Sequence, residues 1–370
     1  MTIVRVFLFV CAMAMAGEPL RFREHTIATD LKGGYQVVVC DVNHDGKPDL
    51  IALGSGMNEL VWFENPGWER HVLVRGLPQM INLACADGEI VIAYGFAMQA
   101  DKSTGVVAVL HDGAVTEIDR LPTSHRIRWA DIDGSGKKVA INAPLIGAKA
   151  VAPEYRDHVP LVFYRPGSWK RESIGDAEEG VVHGIAAVDW DHTGREGILV
   201  AGFTGIHLYR FGRDGKWTRT EIARGNPEAW PKSGSSDVAV GKLGKERFLA
   251  AIEPWHGNQA VVYRETKGEW RRETIDDSLV DGHTILTADF DGDGRDEIVA
   301  GFRGGKRGVY LYRFEKGRWE KQVLDEGSVS AAGCAVADLN GDGRVDIACI
   351  GSATQNLKWY ENLSEKAARR

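Results

Sequence analysis

Residues 283–297 read HTILTADFDGDGRDE, and one short apolar run there joins two chemistries. Asp289, Asp291 and Asp293, followed by Gly294 and Glu297, form a D-x-D-x-D-G loop whose alternate carboxylates converge on a hard cation. Gly294 permits the sharp turn that brings those oxygens back on one centre. The flanks ILTA and IVAGF read as strands rather than helices, which excludes an EF-hand. His283 stands six residues before Asp289. At about 3.3 Å per strand residue the imidazole is roughly 20 Å from the loop, at the other end of one strand.

The unit recurs. Related loops start at Asp41 (DVNHDGKPD), Asp131 (DIDGSGKK), Asp189 (DWDHTGRE) and Asp338 (DLNGDGRVD), and two weaker copies lie around Cys85 and Gly241. Each is followed by an apolar strand, then a second that ends in Tyr-Arg or similar, a short turn and usually a tryptophan, as in YRPGSWKRESI and YRETKGEWRRETI. Four short strands at a period of roughly 44 to 58 residues, seven times over, predict an all-β fold, a seven-bladed β-propeller. The last repeat stops at KWYEN (Lys358 to Asn362), and the first is preceded by an orphan strand, RFREHTIAT (Arg21 to Thr29). The N-terminal strand is therefore expected to complete the last blade and close the ring.

Residues 1–16 carry Arg5, an apolar run and Ala14-Met15-Ala16 before Gly17, the pattern of a signal peptide that is too short to span a bilayer. Residues 17–370 then form a single propeller domain, secreted or periplasmic, with no membrane span. A net charge of −7 argues against nucleic acid as a partner. Cys40, Cys85, Cys334 and Cys349 lie in expected strands without C-x-x-C spacing, which favours buried free thiols. Nothing in the sequence sets the oligomeric state.

Three loops hold a full set of oxygen donors: Asp41, Asn43, Asp45 and Asp49; Asp289, Asp291, Asp293 and Glu297; Asp338, Asn340, Asp342 and Asp346. Such loops pin the bend between two strands, so calcium there is expected to be structural. The repeats resemble FG-GAP or VCBS-type repeats, the calcium-loop blades also found in integrin α-chain propellers. That resemblance bears on fold and says little about function.

Chemistry is expected at the opposite end of the inner strands. The position six before each loop is Tyr35, Gln79, His125, His183, Ser235, His283 and Ala332 around the ring. A propeller gathers these positions at one mouth of its channel. His125, His183 and His283 are thus expected to hold one divalent transition metal, zinc by preference and manganese as the alternative, with an open coordination position. The bland alternative is three separate polar residues in a wet channel. The loops sharing this face carry Tyr155 and His158, Trp230, the run EPWHG with Glu253, Trp255 and His256, and Arg303. Aromatic faces beside charged groups suit a small sugar.

SHRIRWADIDGSGKKVAINAPLIGAKA, EPWHGNQAVVY and DGHTILTADFDGDGRDEIVAGF together resemble the propeller part of the aldos-2-ulose dehydratases, also called 1,5-anhydrofructose dehydratases. The resemblance implies a metal-dependent lyase that eliminates water beside the carbonyl of a keto-sugar. It assigns the metal to the three histidines, the base to His256 or His158 and proton donation to Tyr155. Glu253, Trp255, Arg303 and Trp230 would bind the substrate. The fungal enzymes are much longer, with a second propeller and a cupin-like part, so the isomerase step of those parts does not transfer. Two other readings stand beside this one: another propeller polysaccharide lyase or metal-assisted hydrolase, and a non-catalytic carbohydrate-binding or adhesion propeller. A lectin would repeat its binding residues blade after blade, whereas EPWHG occurs once.

Overall fold

The computed structural model describes residues 19–365 except Asp112; the expected signal peptide lies outside them. Among these residues the strands form seven four-stranded antiparallel sheets, each in simple meander order. Six are continuous in sequence and start with the inner strands Gly34–Cys40, Asn82–Ala86, Ser124–Ala130, Val182–Val188, Asp237–Leu243 and Gly282–Ala288. The seventh combines Ala331–Ala337, Asp346–Gly351 and Leu357–Asn362 with the N-terminal strand Phe22–Ala28. Phe22 pairs with Asn362 and Thr26 with Lys358, so the ring closes as the sequence predicts. Glu24 also reaches the buried ammonium of Lys358 across this seam. The second strand of each blade has a mostly apolar, buried middle, because blades cover both of its faces.

Tyrosine latches tie blade to blade, and they explain the Tyr-Arg ending of the third strand. The hydroxyls of Tyr164, Tyr209, Tyr312 and Tyr360 donate to Asp119, Glu178, Asp276 and Asp325 at 2.6, 2.7, 2.7 and 2.8 Å. Each carboxylate comes from the outer strand of the preceding blade. A cation from the blade that carries the tyrosine completes each latch: Arg171, Arg219, Lys321 and Lys358. A buried carboxylate is tolerable only when paired and hydrogen-bonded. At Glu178 burial pushes the carboxyl up, but His207 and Arg219 outweigh it and hold the group at about 2.

The inner strands carry the site, and a local irregularity aims it. In five blades the strand register slips by one residue, and the residue that slips is Tyr35, His125, His183, His283 or Ala332. These are the positions six before the loops. A β-bulge leaves its extra residue unpaired and redirects its side chain.

The cysteines correct the sequence reading. Cys40 and Cys85 form a disulfide between the inner strands of the first two blades, with Cα atoms 6.1 Å apart. Cys334 and Cys349 are direct cross-strand partners in the last blade, Cα atoms 4.1 Å apart, and form a second. Spacing in sequence could not show that convergence at the channel brings residues 45 apart into bonding range. Two disulfides suit an oxidising compartment, and no helix among the described residues is long and apolar enough to cross a membrane.

Two outcomes follow from this architecture. Deleting residues 17–30 should leave an unpaired edge on the last blade, lowering the melting temperature and causing concentration-dependent aggregation; a truncation that melts like the full chain would refute the closure. Tyr209→Phe should cost about 1–3 kcal/mol in denaturant melts, since a buried carboxylate loses a partner. Glu178 has a folded pKa of about 2 against an ordinary 4.5. Its contribution, on the order of 3 kcal/mol, is therefore complete above pH 4.5 and lost as pH falls towards 2. Glu178→Gln should flatten that acid limb.

Candidate metal centre

The histidines meet at the channel mouth in a different combination from the expected one. His183, His256 and His283 each offer a ring nitrogen such that the three lie within 4.8 Å of one another. Ring centroids are 4.9, 4.9 and 5.1 Å apart, and the Nε2 atoms of His183 and His256 are separated by 3.2 Å. Three donors on one ion, at bonds of about 2.1 Å and tetrahedral angles, stand roughly 3.4 Å apart. His256 comes from the blade-five loop, where a backbone φ of 49° turns it inward. It supplies the third nitrogen from blade five, where the sequence reading has His125.

The other ring nitrogens are held. Nδ1 of His283 faces the carbonyl of Ala332 in a short contact, so that nitrogen carries the proton, and Nε2 is buried with no hydrogen-bond partner. Nδ1 of His183 lies 3.2 Å from Ser236 Oγ. Nδ1 of His256 lies 3.3 Å from Asp281 Oδ1, and Arg303 clamps Asp281 through two hydrogen bonds of 2.9 and 3.0 Å while standing 3.1 Å from the same Nδ1. Arg303, which can only donate, makes Nδ1 the acceptor, so in this arrangement Nε2 carries the proton and faces His183 Nε2 at 3.2 Å. At His283, an outer acceptor on Nδ1 and a lone pair on Nε2 is how metal-bound imidazoles are oriented. Burial, with Arg126 and Arg303 nearby, holds His183 and His283 well below the usual imidazole range and His256 at about 4. All three are thus neutral at pH 7, as ligation requires. The residues present fit a divalent ion.

His125 stands beside this group, not in it. Its ring is 5.0 Å from that of His183, its Nε2 is 2.8 Å from the Tyr35 hydroxyl, and its Nδ1 is buried without a partner. Trp255 packs 4.8 Å from His256, and Tyr155 packs edge-on against Trp255 at 5.7 Å. Trp230 braces the long blade-three loop: its indole donates to the Glu154 carbonyl at 2.7 Å and lies under Arg156. Between that loop and residues 98–102 is a cleft of about 690 Å³, ending at Tyr155. His158 is exposed, with Nδ1 at the Asp176 carbonyl. Glu253 is fully buried, its carboxylate taken by Tyr263 and Arg272. Neither joins the histidine cluster, since each is held by partners on its own sheet.

Asp281 and Ser236 escaped the sequence reading. The one signal for Asp281 is its place two residues before His283 in DGHT.

At the other face, Asp289, Asp291 and Asp293 bring carboxylate oxygens within 4.8 Å of one another. Burial and Asp291 push Glu297 up to about 8. The ninth-position acids turn inward: Asp49 accepts from the N–H groups of Val42 and Asn65, Asp346 from those of Leu339 and Asn362, and Glu297 from that of Phe290. Neighbouring blades grip these loops, Asn65 donating to the Leu339 carbonyl and Asn362 to that of Phe290.

Known proteins divide along the chain. Residues 33–58 match the FG-GAP repeat, residues 289–349 the FG-GAP-like repeat, and residues 112–266 the family described as aldos-2-ulose dehydratase, beta-propeller domain. The chain resembles that propeller. The matched stretch contains His125, His183 and His256. Aldos-2-ulose dehydratase from Phanerodontia chrysosporium is 27% identical over 217 residues, which are 50% of this chain and 23% of that protein's length. Among solved structures, virginiamycin B lyase from Staphylococcus aureus superposes with a TM-score of 0.61 at 14% identity, covering 93% of this chain and 99% of that one. A chain of the mitotic checkpoint complex does so at 0.61 and 11%, covering 98% and 100%. Likeness at such identities concerns the propeller fold alone.

Proposed function

We propose that the protein is a secreted or periplasmic metal-dependent lyase that eliminates water or an alcohol beside the carbonyl of a small keto-sugar. The observation that carries this reading is the convergence of His183, His256 and His283 with a partnerless Nε2 on His283; the resemblance to the dehydratase propeller supplies the reaction class. A divalent ion, zinc by preference, supplies Lewis-acid polarisation of the carbonyl when bound. The three imidazoles hold it; the Ala332 carbonyl fixes the His283 tautomer, while Ser236 and Asp281 stand at the outer nitrogens of His183 and His256. His125 replaces His256 as the base: its unpartnered Nδ1 takes the α-proton while Nε2–H donates to Tyr35. Tyr155 protonates the departing hydroxyl, and Trp255 provides a face for the sugar ring. Arg303 acts through Asp281.

The test is metal analysis of purified protein with a substrate screen of 1,5-anhydrofructose and of 2-keto and 3-keto sugars. One equivalent of transition metal and an ultraviolet-absorbing enone are expected. His283→Ala and His256→Ala should each lose the metal and more than about 100-fold in turnover with little change in melting. Activity confined to long uronic-acid polymers would overturn the substrate class, and full metal content in both variants would overturn the centre.

Structural calcium at Asp41, Asp289 and Asp338 belongs to the same proposal. Chelation, followed by restoration of zinc alone, should lower the melting temperature. Asp291→Ala should do likewise while turnover per folded molecule stays within about twofold, a split read from melting curves beside initial rates.

A further inference from the structure

Below the histidines the channel holds a cavity of about 770 Å³, closed at the site end by Tyr35 and His283 and otherwise lined mostly by apolar inner-strand side chains. Two arginines enter it. Arg126 and Arg128 stand two apart on the inner strand Ser124–Ala130 and so share its channel face. Arg126 is 94% buried by its 6% exposure, and its one strong hydrogen bond is from Nε to the His183 carbonyl at 2.6 Å. Arg128 donates through Nη1 alone, to the Ile127 carbonyl at 2.7 Å and Asn82 Oδ1 at 3.3 Å. Neither forms an ion pair with a carboxylate among the described residues. Lys358, the other buried cation among the described residues, is paired with Glu24 and Asp325.

Asp237 lines the same cavity and is the acid whose charge acts on both guanidinium groups. Its oxygens receive only the backbone N–H groups of Val238 and Ile285, at 3.1 and 3.3 Å. Gly184, on the strand between, leaves it room: a Cβ there would stand 2.6 Å from Asp237 Oδ1. Burial, then Arg126, lowers Arg128 to about 10, and burial raises Asp237. Arg126 and Arg128 against Asp237 leave an uncompensated charge with free donors, whereas Lys138 and Glu196, which also line the cavity, are engaged by Asp87 and by the Asp131 N–H.

We propose that this channel binds a small hydroxy-carboxylate, its carboxylate between Arg126 and Arg128 and a hydroxyl on Asp237. Planar guanidinium forks match carboxylate geometry, and a carboxylate acceptor selects for a hydroxyl. The site adjoins the proposed lyase centre, sharing His283 as a wall and touching His183 through Arg126, but its test needs no transition metal.

Sodium gluconate is titrated calorimetrically into the full chain at fixed ionic strength with calcium present, against glucose, sodium acetate and sodium sulfate. Saturable gluconate binding is expected, with acetate at least tenfold weaker and glucose silent. Arg128→Gln should weaken gluconate at least tenfold, and Asp237→Asn should shrink its advantage over acetate. If Arg128→Gln does not fold, Arg128→Lys, which keeps the charge and loses the fork, should weaken gluconate severalfold. Gluconate binding no better than glucose, sulfate binding as well as gluconate, or affinity unchanged in the folded Arg128 variant would each overturn the proposal.

Discussion

The pairing of Phe22–Ala28 with Leu357–Asn362 is the contact on which the molecule depends. A propeller sheet buries its faces against neighbours, but its ring is only as closed as its last interface. Backbone hydrogen bonds from the first strand to the last blade remove the open edge and fix the radius at which the seven inner strands meet. Convergence of His183, His256 and His283, drawn from three blades, is a consequence of that radius. No local feature of any one blade would place them together.

The two faces divide the labour by charge. Carboxylates crowd the loop face, where backbone N–H groups and neighbouring blades hold them in position. Neutral imidazoles gather at the other mouth, with Arg126 and Arg303 nearby. Between them, each tyrosine latch keeps a buried acid satisfied by a cation of the adjoining blade, so stability is spread around the ring.

The fold was legible because its signals are local and repeated: the D-x-D-x-D-G loops, the Tyr-Arg strand ends and the tryptophans each recur at the blade period. Ring closure was legible from the mismatch of the two chain ends. The centre was legible only in part. His183 and His283 occupy equivalent bulged positions, so counting back from the loop finds them. His256 reaches the same point from the loop between second and third strands, in a sequence that occurs once, and its geometry depends on a left-handed residue that sequence does not announce. The disulfide of Cys40 with Cys85 and the burial of Glu253 were hidden for the related reason that both are set by contacts between strands rather than by order along one.

The bulges have an evolutionary consequence. Each occupies the same backbone position in its blade, yet the residue there is tyrosine, histidine or alanine. Backbone geometry at these places is therefore indifferent to the side chain displayed, and Ala332 serves its neighbour through a carbonyl that most replacements would retain. The mouth behaves as a set of interchangeable sockets on a fixed frame. Descent with modification can rewire the chemistry one socket at a time without renegotiating the fold.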